Sequence, residues 1–193
     1  MPWDKQFDVD DALDRAFETF WAQGYESTSM DDLLKRMGIN RGSFYDTFKS
    51  KHDLYIDALK RYDREYRRAD LRSSAKGCTP REAILSLFNA MAEGLRGPHG
   101  KYGCFLVNSA LELAPKDKQV ARIVRSGFRD TERFFAGLLD RGQSTGEISN
   151  QLVPQEAARI LMCQLMGLMV LVRSGAGKPV LRSAAGLAED LLA

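Results

Sequence analysis

Residues 28–54, TSMDDLLKRMGINRGSFYDTFKSKHDL, hold two short amphipathic segments joined at Gly38. The first sets Met30, Leu33, Leu34 and Met37 on one side, with Thr28 as the expected N-cap and Gly38 as the stop. The second opens behind Asn40, another capping residue, and spaces Phe44 and Phe48 four apart, which is one face of a helix. With both phenylalanines turned inward, Arg41, Ser43, Tyr45 and Thr47 project from the other side, and Gly42 permits close backbone approach. Lys49 and Lys51 follow directly.

The rest of the chain shows the same period. Leu13, Ala16, Phe17 and Phe20 predict a helix from about Val9 to Gln23, stopped by Gly24. Ser50 is the expected N-cap of a longer helix reaching about Arg72, with Leu54, Ala58, Leu59 and Tyr62 inward. SSAKGCT, residues 73–79, is the clearest break. Helices are then expected from Pro80 to about Leu95, Cys104 to Leu113, Lys116 to Arg141, Pro154 to Arg173 and Val180 to Leu192, with a Gly- and Pro-rich loop from Arg96 to Gly103. No alternating strand pattern stands out. The expected fold class is all-α: a three-helix head over residues 1–50, a connecting helix over 51–72 and a larger helical body over 73–193.

Composition supports an ordinary globular chain, with 44% hydrophobic and 28% charged residues. Net charge is +2, yet residues 1–72 carry 13 Lys+Arg against 15 Asp+Glu, so the head end is net negative. The sign reverses locally. Lys35, Arg36, Arg41, Lys49 and Lys51 face Asp46 alone between residues 35 and 51, while six acids from Asp4 to Glu18 gather upstream. Cys78, Cys104 and Cys163 are odd in number and lack CxxC spacing, which argues for thiols rather than disulfides or zinc. The opening residues show no secretory signal, and the apolar run Ile160–Val172 is short for a membrane span, so a cytoplasmic location away from membranes is expected.

A helix is about as wide as the major groove, and reading DNA requires side chains on base edges while neighbours hold phosphates. GINRGSFYDTF meets that requirement, although periodicity alone fits a plain helical bundle equally well. Thr28, Ser29, Leu33, Gly38, Ile39, Asn40, Gly42, Phe44, Tyr45, Phe48, Ser50, Lys51 and Leu54 together resemble the N-terminal pattern of the tetracycline-repressor (TetR) family of transcription regulators. The resemblance implies a helix-turn-helix head in which Arg41 and Ser43 face bases while Thr28, Tyr45 and Lys51 hold phosphates. Ser29, Asn40, Gly42, Thr47 and Lys49 complete the candidate DNA contact set. The chemistry agrees, because Arg41 can pair bidentately with guanine and Lys51 stands at a helix N-terminus.

A head that meets one half-site implies a two-fold homodimer on a palindromic double-stranded operator. The helix around Ile160–Leu171 is apolar beyond a single stripe, and the last helix is rich in alanine, so Leu161, Leu165, Leu168, Met169, Leu181, Ala184 and Ala188 are the candidate dimer contacts. Phe88, Met91, Cys104, Phe105, Asn108, Leu111, Phe128 and Met162 are candidate contacts for a small-molecule effector, expected to be largely apolar because no charged cluster dominates the body. Cys104 stands in KYGCFLVN, similar to a stretch in TetR-family branches that respond to electrophiles or oxidants. The alternatives are a reactive thiol, favoured by a helix N-terminus and Lys101, and an inert packed one. His52 and His99 are the only histidines and no nucleophile or metal motif accompanies them, so neither catalysis nor a cofactor is expected. The rival readings are a helical protein-binding adaptor, or a helical small-molecule binder without operator specificity.

Overall fold

The computed structural model describes residues 7–93 and 99–193, and every regular element among them is helical. Helix α1 spans Val9–Gln23, α2 Met30–Met37, α3 Arg41–Phe48 and α4 Lys51–Tyr62. A π turn over Asp63–Arg67 carries α4 directly into α5, Arg68–Ser74. The body follows as α6 Pro80–Ala92, α7 Phe105–Glu112, α8 Lys118–Ser144, α9 Pro154–Arg173 and α10 Lys178–Leu191. The expected helix end near Leu95 and the start of the loop at Arg96 lie outside the described residues.

Capping chemistry sets most boundaries. Asn40 accepts from the Ser43 amide at 2.8 Å and Ser50 from the Asp53 amide at 3.0 Å, as expected of N-caps. The α2 cap is shifted by one residue. Ser29 accepts from the Asp32 amide at 3.0 Å while the Asp32 carboxylate accepts from the Ser29 amide at 3.2 Å, a reciprocal capping pair, and the Thr28 hydroxyl donates back to the Gly24 carbonyl instead. At the α2–α3 turn Gly38 adopts φ 71° and ψ 29°, the left-handed conformation that costs glycine least. The π turn carries no Gly or Pro, so hydrophobic periodicity could not announce it; the connecting helix reads through it to Ser74.

Two clusters of buried side chains organise the chain. One joins the whole head, including Phe17, Phe20, Leu33, Phe44 and Tyr55, to Phe105, Leu106, Val120 and Val124 of the body. The other collects Leu71, Phe88, Phe135, Leu161, Leu168, Leu181 and Ala188 from α5, α6, α8, α9 and α10. Helix α9 is apolar and long enough, by length and composition, to cross a membrane. Its inner face instead packs into the second cluster against α6, α8 and α10.

Candidate nucleic-acid interface

Phe44 and Phe48 are buried and anchor α3 in the head core, which fixes the rotation of the helix about its axis. Arg41, Gly42, Tyr45, Asp46 and Lys49 consequently emerge into solvent, with Ser43 and Thr47 half-buried at the edges of the same face. Tyr45 is 47% exposed, its ring edge-on to Phe44 with centroids 5.2 Å apart. Arg41 is drawn towards α2, where its guanidinium meets the Asp31 carboxylate at 2.7 Å. That ion pair is exposed on both sides, so DNA contact can replace it at little cost. Lys35 and Arg36 on α2 extend the exposed basic edge.

The backbone at the end of α3 is unusual. Lys49 takes φ 65° and ψ −54°, and the Ser50 amide donates back to the Phe48 carbonyl at 2.7 Å, forming a tight three-residue turn that non-glycine residues seldom adopt. The turn lets Ser50 cap α4 while leaving the Lys49 side chain in solvent beside the reading face.

Four of the expected DNA contacts have other work here. Thr28 is fully buried and its hydroxyl donates to the Gly24 carbonyl at 2.6 Å, so it braces the α1–α2 corner instead of facing a phosphate. Asn40 is exposed but its side-chain oxygen is committed to the Ser43 amide, and Ser29 is tied to Asp32. Lys51 is half-buried with its ammonium 4.2 Å from the centre of the Tyr25 ring. Burial lowers its pKa, against the pull of Glu26 and Glu112, which places this charge at the joint between head and body.

That joint was not visible in the chain. Glu112 at the end of α7 accepts from the Tyr25 and Glu26 amides at 3.1 and 2.8 Å. Asp117 accepts from the Val120 amide at 3.0 Å and the Gln119 amide at 2.7 Å at the start of α8, and meets the His52 ring at 2.5 Å at the start of α4. These bonds, led by Val120, hold the Asp117 carboxyl below its ordinary pKa. Tyr55 and Ser109 share a buried hydrogen bond of 2.7 Å, and the Trp21 indole donates to the Gly103 carbonyl at 3.0 Å. The α1–α2 corner is thereby tied to the end of α7, and the start of α4, next to the reading helix, to the N-cap of α8.

The body contains a cavity of about 60 Å³ where the two cores meet. Of the expected effector contacts, Met91, Cys104 and Phe128 line it. Phe88 and Phe105 are core packing, Met162 packs against the second cluster, and the Asn108 amide donates to the Tyr102 carbonyl at 3.0 Å. Leu111, the penultimate residue of α7, is 70% exposed. The remaining wall includes Tyr62, Leu87, Leu106, Val107, Leu165, Met166 and Met169. Arg67, Asp70 and Thr131 add a polar side that the sequence reading missed. Asp70 is open to solvent on its outer side, yet burial against the wall raises its carboxyl pKa.

Cys104 is buried at the N-cap of α7, and burial raises its thiol pKa despite hydrogen bonds with Tyr62 and the Val107 and Leu106 amides. The helix terminus does not outweigh desolvation, and Lys101 lies over the Tyr102 ring, 5.3 Å from its centre. Of the two alternatives for Cys104, its burial therefore favours the packed thiol over the reactive one. A thiol-selective alkylating reagent is expected to modify exposed Cys78 roughly tenfold or more faster than Cys104, as followed by mass spectrometry of peptides; equal rates would contradict this placement.

The expected dimer contacts also need revision. Leu161, Leu165, Leu168, Leu181 and Ala188 are buried within the single chain, and Met169 and Ala184 partly so. The solvent-facing strip consists instead of Ile160, Cys163, Gly167 and Val170 on α9 with Val180, Ser183 and Leu187 on α10. The two strips flank the contact in which the Gln164 amide donates to the Ala184 carbonyl at 2.7 Å. The apolar surface of α9 is wider than a single stripe, and its inner half serves the core.

Comparison with known proteins agrees with this arrangement. Residues 12–58 match the family described as bacterial regulatory proteins, tetR family, and residues 80–185 match the tetracyclin repressor-like C-terminal domain. The Bacillus subtilis (strain 168) HTH-type regulator YezE is 37% identical over 151 residues, covering 76% of this chain and 78% of that protein. The Escherichia coli (strain K12) HTH-type transcriptional repressor ComR is 31% identical over 183 residues, covering 94% and 87%. A cysteine-substituted form of the TetR family regulator CifR, solved with 26-base-pair operator DNA, superposes with a TM-score of 0.80 at 26% identity over 98% of this chain and 97% of that one. A head whose short α3 presents Arg41 and Tyr45 outward, joined through one continuous helix to a body of this form, accounts for those matches: the chain belongs to the TetR family of DNA-binding bacterial transcriptional regulators.

Proposed function

We propose that this protein is a cytoplasmic, non-enzymatic repressor that binds a palindromic operator as a homodimer and leaves it when a small molecule occupies the body. The observation that carries this reading is the locked orientation of α3, with Phe44 and Phe48 inside and Arg41, Ser43 and Tyr45 outside. In functional terms residues 1–50 read DNA, 51–72 transmit, and 73–193 bind the effector and the second subunit. The exposed strips of α9 and α10 would pair with their own symmetry copies into a four-helix contact. An effector can release DNA only by favouring a spacing of the two heads that does not match the operator, and the bonds from Glu112 and Asp117 to the head are the rigid links for that movement.

Selection of bound fragments from random duplexes is the direct test. Palindromic sequences should be enriched, and their affinity should fall steeply with added salt as phosphate counterions are released. Loss of that enrichment, with binding equal on all duplexes, sinks the proposal. Arg41→Ala should flatten the preference at one base pair of each half-site, by roughly 10- to 100-fold for a bidentate contact, and spare the others. The readout is a competition titration against operators substituted one position at a time.

A further inference from the structure

Arg67 closes the π turn and borders the cavity, and it is 91% shielded from solvent at a relative exposure of 9%. Its Nε donates to Asp63 at 2.5 Å and its Nη1 to the Thr131 hydroxyl at 2.9 Å. Its Nη2 is buried and has no hydrogen-bond acceptor. The Asp130 carboxylate is 3.6 Å from Nη2, beyond a hydrogen bond, and its nearer oxygen is held by Arg68 at 2.9 Å. A buried guanidinium donor left unpaired is costly, and native interiors seldom leave one so.

Charge and donor count point in different directions here. Arg67 and Arg68 share Asp63 and Asp130, with Arg68 2.9 Å from each carboxylate and the exposed Arg133 3.8 Å from Asp130. Asp70 on the same wall supplies a third acid, so cations and anions in this cluster are equal in number. What the site lacks is an acceptor atom, not a counter-charge. The opposing wall is apolar and includes Met91, Met166 and Met169, whose unbranched side chains can shift to enlarge the space. Gly127 keeps α8 close: a Cβ there would clash with the Leu106 side chain and lie 3.6 Å from Arg67 Nε.

We propose that this cavity binds a small, uncharged, mainly apolar molecule bearing one carbonyl-type oxygen, which accepts the hydrogen bond that Arg67 Nη2 lacks. A carboxylate of the same size would upset the balanced charges and is disfavoured; a plain hydrocarbon would leave Nη2 unpaired. Only the regulatory consequence rests on the effector-controlled repressor reading. Because Arg67 belongs to the π turn, such a ligand would act on the segment that joins α4 to α5.

Acetophenone, benzoate and ethylbenzene form a matched set for calorimetric titration of the intact protein. Acetophenone is expected to bind about tenfold or more tighter than either of the others, and Arg67→Lys, which keeps a cation beside Asp63, should shrink its advantage over ethylbenzene to less than about threefold. Circular dichroism establishes that the variant is folded. Independently of any variant, a crystal of the native chain with 4-bromoacetophenone should place the bromine signal in the cavity and the carbonyl oxygen within hydrogen-bond reach of Nη2. Equal or tighter binding of benzoate, equal binding of ethylbenzene, no binding by any of the three, or a bromine elsewhere overturns the proposal. Operator affinity is measured separately with acetophenone saturating. A weakened operator complex supports control through this site, whereas unchanged affinity with acetophenone seated at Arg67 refutes the effector-controlled reading and leaves the carbonyl site standing.

Discussion

Ile160→Glu combined with Leu187→Glu is expected to convert the protein to a monomer and to weaken operator binding by about 100-fold or more. Both side chains stand in solvent in the single chain, 53% and 59% exposed, so the substitutions remove no internal packing and should leave the melting temperature of the subunit nearly unchanged. Four carboxylates placed on one symmetric contact would each lose water opposite like charges, a penalty that an interface of apolar side chains cannot offset. Once the heads are separate, each half-site must be found by an independent encounter, and the gain from linking two heads, on the order of 10²–10⁴, disappears. Sedimentation equilibrium gives the oligomeric state and a mobility-shift titration the affinity. A variant that stays dimeric, or a native chain that sediments as a monomer at micromolar concentration, would remove the symmetric pairing on which the repressor reading depends.

Phe44→Ala should lose operator binding by the opposite route. Its ring is completely buried between Tyr45 and Phe48 in a head of short helices, and truncating such a ring costs about 3–5 kcal/mol, a large part of the roughly 5–15 kcal/mol that holds a typical domain together. Because the head shares its core with Phe105, Leu106 and Val120, the loss should lower the urea midpoint of the whole chain and not merely fray α3. Tyr45→Ala, one residue along, makes the contrast. Tyr45 is half in solvent, so the midpoint should stay within about 0.5 kcal/mol of native stability while affinity for all duplex sequences falls alike. If Phe44→Ala were as stable as the native chain, the inward rotation of α3 would be wrong, and with it the identity of the reading face.

The head was the most legible part of the chain. Asn40 and Ser50 are caps whose side chains find partners three residues away, and Phe44 and Phe48 are close enough in sequence for the helical period to place them on one face. Errors began where two neighbouring residues could each serve. Thr28 and Ser29 both suit an N-cap, each with an acid three residues on, and it is Ser29 that pairs with Asp32 while Thr28 is buried with its hydroxyl on the Gly24 carbonyl. In the body the period of α9 was clear, yet period alone does not say which apolar side meets the core and which meets solvent. Leu165 and Met169, assigned to a partner subunit, line the cavity, while Ile160 and Val170 face out.

Sequence alone therefore determined the all-helical class, the family and the orientation of the reading helix, since each depends on local spacing, capping and a motif within a few turns. Tertiary structure decided the rest: the pairing of Glu112 with the Tyr25 and Glu26 amides, of His52 with Asp117, and the placing of Arg67 with an unpaired donor beside the cavity. The His52–Asp117 partners stand 65 positions apart and the Arg67–Thr131 partners 64. A charged side chain at such separation carries no periodic signature. Whether it is a solvated surface charge, a brace or a ligand anchor is settled only when packing of the apolar faces brings the distant segments together and removes the water between them.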